Sequence, residues 1–111
     1  MEIIFHAHHA DISPRLQQRA DASLRKIVSR LGRTVDAIVR VEEDGPTRRV
    51  ELELHAPRGR RLVARGEARY FGPALTVALG KLGAQVKRVR QTANGRRRVA
   101  KSRARRKLAR A

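Results

Sequence analysis

The sequence predicts an α+β domain with the element order β-α-β-β-β-α, followed by a flexible basic tail. Four short runs predict strands, and two of them, residues 2–9 and Arg48–Ala56, alternate in the pattern of a half-buried strand. Two longer runs have apolar residues at helical spacing. The last acid is Glu67, and beyond it all charges are positive. We therefore assign residues 1–91 to the domain and residues 92–111 to the tail.

The first strand and the first helix are marked at their boundaries. Residues 2–9 alternate and predict a strand with one face on a core. Ser13 and Pro14 are the residue types favoured at a helix N-cap and at the first helical position. The apolar residues that follow at helical spacing are Leu16, Ala20, Leu24, Ile27, Val28 and Leu31. Gly32 is placed to end this helix.

Three more strands follow, separated by turn residues. The runs Val35–Glu43 and Arg48–Ala56 flank Asp44-Gly45-Pro46 and predict a hairpin. After the turn Pro57-Arg58-Gly59-Arg60, the run Leu62–Glu67 predicts a third strand.

The second helix is predicted from about Gly72-Pro73 to about Gln91. Gly80 and Gly83 within it each cost about 1 kcal/mol relative to alanine, so we expect it to depend on packing. Both helices should cover one face of a four-stranded, mostly antiparallel sheet, because a sheet this small can leave its other face in water. The core should be aliphatic and alanine-rich, since the chain has only three aromatic residues.

The charge balance predicts an anionic partner. The chain has 27 Lys and Arg against 10 Asp and Glu, a net charge of +17. Residues 68–111 hold 14 of these bases and no acid, whereas residues 96–111 alone hold nine. A protein with such a positive electrostatic field binds phosphate polymers. Anionic lipid is less favoured, because no 18-residue apolar run exists and neither helix has the bulky face of a membrane anchor.

Basic residues form two candidate RNA-binding groups on the helices and a third in the tail. On the first helix they occupy an arc of roughly 60°, separate from the apolar arc, and acids mostly avoid it, whereas an ordinary solvated face mixes signs. The predicted RNA-binding residues are Arg15, Arg19, Lys26, Arg30 and Arg33 on the first helix, Lys81, Lys87, Arg88 and Arg90 on the second, and Arg96, Arg97 and Arg98 in the tail. We expect the tail to be disordered when free.

Other chemistry has little support. His6, His8 and His9 have neither cysteine nor a clear third ligand in sequence reach, so we expect surface or RNA-facing histidines and no metal. The acids Glu42, Glu43 and Asp44 lie at a turn and are expected to be solvated rather than paired around a pocket. No nucleophile with its base and no glycine-rich phosphate loop is present, so we expect neither an enzyme nor a cofactor.

Several segments together resemble the short ribosome hibernation-promoting factors, the family of ribosome-associated inhibitor A, over about residues 1–91. They are the opening strand with His8-His9, Leu24-Arg25-Lys26-Ile27 in the first helix, and Lys81-Leu82 followed by Gln85-Val86-Lys87-Arg88 in the second. The chain departs from the family at residues 68–73, where the family usually has an acidic segment and a tyrosine. Its basic tail also differs from the dimerising domain of the family's long form.

The resemblance implies a cytoplasmic translation inhibitor that binds rRNA in the decoding region of the small ribosomal subunit. Messenger and transfer RNA would be occluded, and ribosomes would stay inactive under stress or in stationary phase. The start of the chain does not have the pattern of a signal peptide, and we expect a protein that is monomeric when free. Two alternatives remain open at this stage, a double-stranded RNA-binding module and a nucleoid-associated DNA-binding protein.

Overall fold

The predicted order of elements is found in a computed structural model, which describes residues 1–31, 36–56 and 59–89. The elements are β1 (Glu2–His8), α1 (Pro14–Val28), β2 (Asp36–Asp44), β3 (Thr47–His55) and β4 (Arg61–Ala68), followed by α2, which is helical at residues 71–89. The predicted tail at residues 92–111 and the predicted helix stop at Gly32 lie outside these ranges.

The four strands form one sheet in the order β1-β2-β3-β4. The pairs β2–β3 and β3–β4 are antiparallel, and β1–β2 is parallel, with Glu2 opposite Asp36. A parallel pair requires a crossover, and α1 supplies it. The prediction of a mostly antiparallel sheet is confirmed, with one parallel pair. Gly45 closes the β2–β3 hairpin with φ 57°, a backbone conformation that suits glycine.

The core lies between the helices and one face of the sheet. Every second residue of the central strands is buried there, including Val39, Val41, Val50 and Leu52. Every hydrophobic residue classed as buried in the described ranges is Ala, Val or Leu, whereas Phe5 and Phe71 are only partly buried. The core is therefore aliphatic and alanine-rich, as the composition predicted.

Close packing of α2 on the sheet depends on Gly66 of β4. A Cβ atom added at Gly66 would overlap the carbonyl oxygen of Ala74 and lie 2.7 Å from the amide nitrogen of Ala78. Both contacts are with backbone atoms, which cannot rotate away. The small residues Gly66, Ala74 and Ala78 thus let the helix backbone approach the strand directly.

The boundaries of α1 match its sequence at the start and differ at the end. The Oγ of Ser13 accepts a hydrogen bond from the amide of Leu16 at 3.1 Å, and Pro14 is the first helical residue. The prediction extended the helix to Leu31, but it ends at Val28. The amide of Leu31 donates three residues back to Val28 at 2.8 Å, so the last turn is tightened. Arg30 therefore lies in this terminal turn rather than on the helix.

Candidate nucleic-acid interface

Charge is divided unequally between the two layers of the described structure. The two helices hold seven Lys and Arg residues and one acid, Asp21. The four strands hold five Arg residues and eight acids. The helix layer is thus strongly cationic, whereas the sheet is slightly acidic. No helix in the described ranges combines the length and apolarity needed to cross a membrane.

Three of the predicted α1 residues are exposed cations. Arg15, Lys26 and Arg30 are exposed, and none of them pairs with a carboxylate in the part of the chain that the structure describes. Asp21 does not neutralise this group, because it forms its ion pair with Arg25, at 2.6 Å. These three side chains can bind phosphate without first breaking an ion pair.

Arg19 differs from the other members of the group, because its guanidinium joins the two helices. It donates to the carbonyl oxygen of Gly72 at 3.1 Å and to the Oγ1 of Thr76 at 2.6 Å. The Thr76 hydroxyl in turn donates to the same Gly72 oxygen at 3.1 Å, which closes a ring of three hydrogen bonds. The ring fixes the N-terminal half of α1 beside the start of α2.

Of the predicted α2 residues, Lys81, Lys87 and Arg88 are exposed, and they lie on different sides of the helix. Thr76 marks the side of α2 that faces α1, and at 100° per residue Lys87 lies about 20° from it, on the side towards α1. On the same count Lys81 lies about 140° and Arg88 about 120° from Thr76, on the flank away from α1. The helix layer therefore presents cations beside the groove between the helices and on the far flank of α2.

The open face of the sheet is also rich in arginine, but there each arginine is paired with glutamate. Arg40 bridges Glu51 at 3.3 Å and Glu53 at 3.1 Å, while Arg65 binds Glu51 at 3.0 Å. Further along the strands Arg49 joins Glu42 at 3.3 Å and Glu67 at 2.8 Å. These pairs run across β2, β3 and β4. The open face is consequently close to self-neutralised.

Glu53 is a buried carboxylate within this network. It is 2% exposed and contacts Arg40, Arg61 and, at 3.5 Å, the Nε2 of His55. Burial alone would raise its pKa, but the hydrogen bonds and charges of Arg40 and Arg61 outweigh this effect and hold the pKa below its ordinary value. Glu53 therefore stays ionised and keeps both arginines on the sheet.

The turn acids and the histidines have structural surroundings that the sequence did not predict in full. Glu42 pairs with Arg49 at 3.3 Å, and Glu43 binds Arg48 at 3.0 Å, so both acids form partly exposed ion pairs with arginine that the sequence did not predict. His6 and His8 are exposed, as expected for surface histidines. Within the described residues no three His, Asp or Glu side chains converge in a way that could hold a metal ion.

Other predicted RNA-binding residues lie outside the described ranges. Arg33, Arg90, Arg96, Arg97 and Arg98 are among the residues that are not described, so their RNA contacts stay a prediction. Tyr70 is 71% exposed at the start of α2. The sequence could have indicated this exposed ring, because an aromatic residue stands directly before a predicted helix, where a short polar N-cap residue is usual.

Comparison with known proteins identifies relatives of this architecture. The family model described as sigma 54 modulation protein / S30EA ribosomal protein matches residues 3–94. A ribosomal subunit interface protein from Coxiella burnetii has a similar structure, with a TM-score of 0.75, 19% identity, and coverage of 82% of this chain and 99% of that one. The N-terminal domain of Protein Y from Thermus thermophilus gives a TM-score of 0.67, 21% identity, and coverage of 80% and 96%. No curated protein sequence matches the chain.

Proposed function

Because this chain belongs to the sigma 54 modulation protein / S30EA ribosomal protein family, we propose that its helix layer binds rRNA in the decoding region of the small ribosomal subunit. Ribosome association follows from the family, which is also the family that the sequence resembled. The observation that supports the rRNA-binding surface is that Lys26, Lys81 and Lys87 on the helices are exposed and pair with no carboxylate among the described residues, whereas the arginines of the open sheet face are paired.

The helix layer is better suited to phosphate than the open sheet face. An arginine on the sheet must give up a carboxylate before it can bind phosphate, whereas Lys26, Lys81 and Lys87 need lose only water and counterions. Release of counterions from RNA then supplies affinity that depends on salt. The proposed phosphate contacts are Arg15, Lys26, Arg30, Lys81, Lys87 and Arg88, with Arg33, Arg90, Arg96, Arg97 and Arg98 as further candidates.

Recognition would depend on shape rather than on base sequence. Folded RNA displays phosphates and 2′-hydroxyls over grooves whose form depends on tertiary structure. The helices are held rigidly, by the Arg19 ring at one end and by the close packing at Gly66. A stiff surface with cations at fixed positions fits one phosphate arrangement better than others.

Inhibition would follow from occupation of the decoding region. A factor bound there excludes messenger and transfer RNA, so translation stops without any covalent chemistry. We expect such a factor to act in the cytoplasm, where it keeps ribosomes inactive under stress or in stationary phase. It needs no cofactor for this role.

The first test is binding at controlled salt. The purified chain should sediment with small subunits at moderate salt and should inhibit translation in vitro, and it should be found with ribosomes from stationary-phase cells. Naked duplex RNA and duplex DNA at the same salt are the comparators, because the net charge of +17 gives some affinity for any nucleic acid. Equal affinity for a duplex and for the subunit would instead indicate a general nucleic-acid-binding protein.

A second test locates the surface. The variant K81A/K87A removes two helix cations, and the control R49A/R65A removes the same charge from the open sheet face. Each lost phosphate contact lowers the slope of log affinity against log salt by about one, so the first variant should lose about two and the control almost nothing. The reverse order of effects would place the RNA on the sheet.

A further inference from the structure

Tyr70 is the most exposed of the large hydrophobic side chains in the described structure. It is 71% exposed, compared with 42% for Val77 and 38% for Ile4. Among the described residues its ring and hydroxyl have no hydrogen-bond, ion-pair or ring partner. The ring therefore contributes little to the core that holds the domain together.

The position of Tyr70 in the chain makes its exposure harder to explain by folding. Its carbonyl oxygen accepts the hydrogen bond of the Ala74 amide at 3.2 Å, so Tyr70 is the N-cap of α2. Helices favour Ser, Thr, Asp or Asn at this position, because a short polar side chain accepts a free amide of the first turn. Ser13 does this for α1, at 3.1 Å. The Tyr70 side chain supplies no such N-cap hydrogen bond to α2, and its aromatic ring is exposed to solvent.

The ring stands at one end of the cationic helix layer. Two residues beyond it, the carbonyl of Gly72 receives the guanidinium of Arg19 from α1. Arg15, Arg19 and Phe71 line the groove between the starts of the two helices, and Arg69, beside Tyr70, is exposed. Along α2 the distance from Tyr70 to Lys81 is about 16 Å at 1.5 Å per residue, so the same helix carries both.

We propose that Tyr70 stacks on an unpaired base of the RNA that the helix layer binds. The inference rests on the proposed function and adds a base contact to a surface that otherwise contacts phosphate. Single-stranded loops and bulges of folded RNA present bases that stack on exposed aromatic rings, and nearby guanidinium groups hold the adjoining phosphates. Such a contact selects RNA with an extruded base at one end of the footprint.

Three substitutions separate stacking from folding. Removal of the ring in Y70A or Y70S should weaken binding to purified small subunits by about five- to 150-fold, the range known for base stacking, whereas Y70F should bind within about twofold of the original chain. The salt slope should not change, since no phosphate contact is lost. Y70S should also melt at a higher temperature because serine caps α2. The control V77S removes another exposed apolar side chain of α2 and should bind normally.

The fluorescence of the ring provides a direct readout. Tyr70 is the only tyrosine and the chain has no tryptophan, so intrinsic emission reports this ring alone. Emission should fall on binding single-stranded oligoadenylate at low salt and should fall less with an abasic sugar-phosphate chain of the same length. Equal emission with both chains would overturn base stacking, and combined with weak subunit binding of Y70S it would point to a ribosomal protein as the contact.

The outcomes distinguish this inference from the function on which it rests. If the original chain does not bind small subunits, the proposed function fails. If the original chain binds and Y70S binds equally well, the stacking role fails and the proposed function stands.

Discussion

Substitution of Gly66 by alanine should destabilise the domain strongly, whereas the same substitution at Gly80 should stabilise it. At Gly66 the new methyl group would meet the backbone of Ala74 and Ala78. At Gly80, on the exposed side of α2, nothing lies within 4 Å of the new Cβ. The chemical change is identical, so only the space around each glycine differs.

The two effects can be estimated separately. Overpacking of a tight contact costs about 1–3 kcal/mol, and the upper end applies at Gly66 because backbone atoms are the obstacle. Alanine restricts the unfolded chain and returns about 0.4–1 kcal/mol, which leaves a net loss of about 2 kcal/mol. In Gly80→Ala the same entropy gain underlies the better helix propensity of alanine, so the net gain is about 1 kcal/mol.

Thermal and urea unfolding followed by circular dichroism measures both changes. A domain of this size shifts in Tm by about 4–8 °C per kcal/mol, so Gly66→Ala should lower Tm by about 8–16 °C and Gly80→Ala should raise it by about 4–8 °C. An unchanged or higher Tm for Gly66→Ala would show that α2 does not lie against β4 as described. A lower Tm for Gly80→Ala would show that this glycine has an unrecognised contact.

Two further predictions concern the polar contacts. R19A and T76V should each lower the free energy of unfolding, and a double-mutant cycle should give a coupling of about 1 kcal/mol. The slope of log affinity for the small subunit against log salt should stay constant for R19A. A slope reduced by one, with unchanged stability, would make Arg19 a phosphate contact instead. Glu53 has a lowered pKa, so its stabilising effect is complete above the ordinary value of 4.5 and is lost as the pH falls through the lower pKa of the folded state. E53Q should therefore have a lower free energy of unfolding than the original chain at neutral pH, and this difference should shrink as the pH drops below about 4.5. Urea titrations at several pH values measure it, and a difference that grows with acidity would contradict the prediction.

The fold could be predicted from the sequence because its periodicities are clear. The strict alternation of Val50, Leu52 and Leu54 fixed which face of β3 is buried, and Ser13-Pro14 fixed the start of α1. The parallel pairing of β1 with β2 was not predicted, because residue periodicity is the same in both strand orientations. The early end of α1 was also missed, since Leu31 keeps helical spacing within the tightened turn.

The sequence predicted which cations belong to the candidate site, but not the contacts that these side chains make. Exposure of Lys26 and Lys81 followed from their helical positions. The binding of Arg19 to Gly72 and Thr76 did not, since the partners are more than 50 residues away in the chain. Burial of Glu53 was equally hidden, because the alternation places it on the outer face, where Arg40 and Arg61 from the neighbouring strands contact it.

The opposite charges of the helices and the sheet give the described part of the domain an electric dipole across its thickness. Near a polyanion such a body experiences a torque that turns its helices towards the negative surface before any atom touches. At physiological ionic strength the screening length is about 8 Å, so this alignment operates only over the last stretch of the approach. The glutamates of the sheet, although they face away from the proposed contact, would thereby raise the fraction of collisions that arrive in a productive orientation.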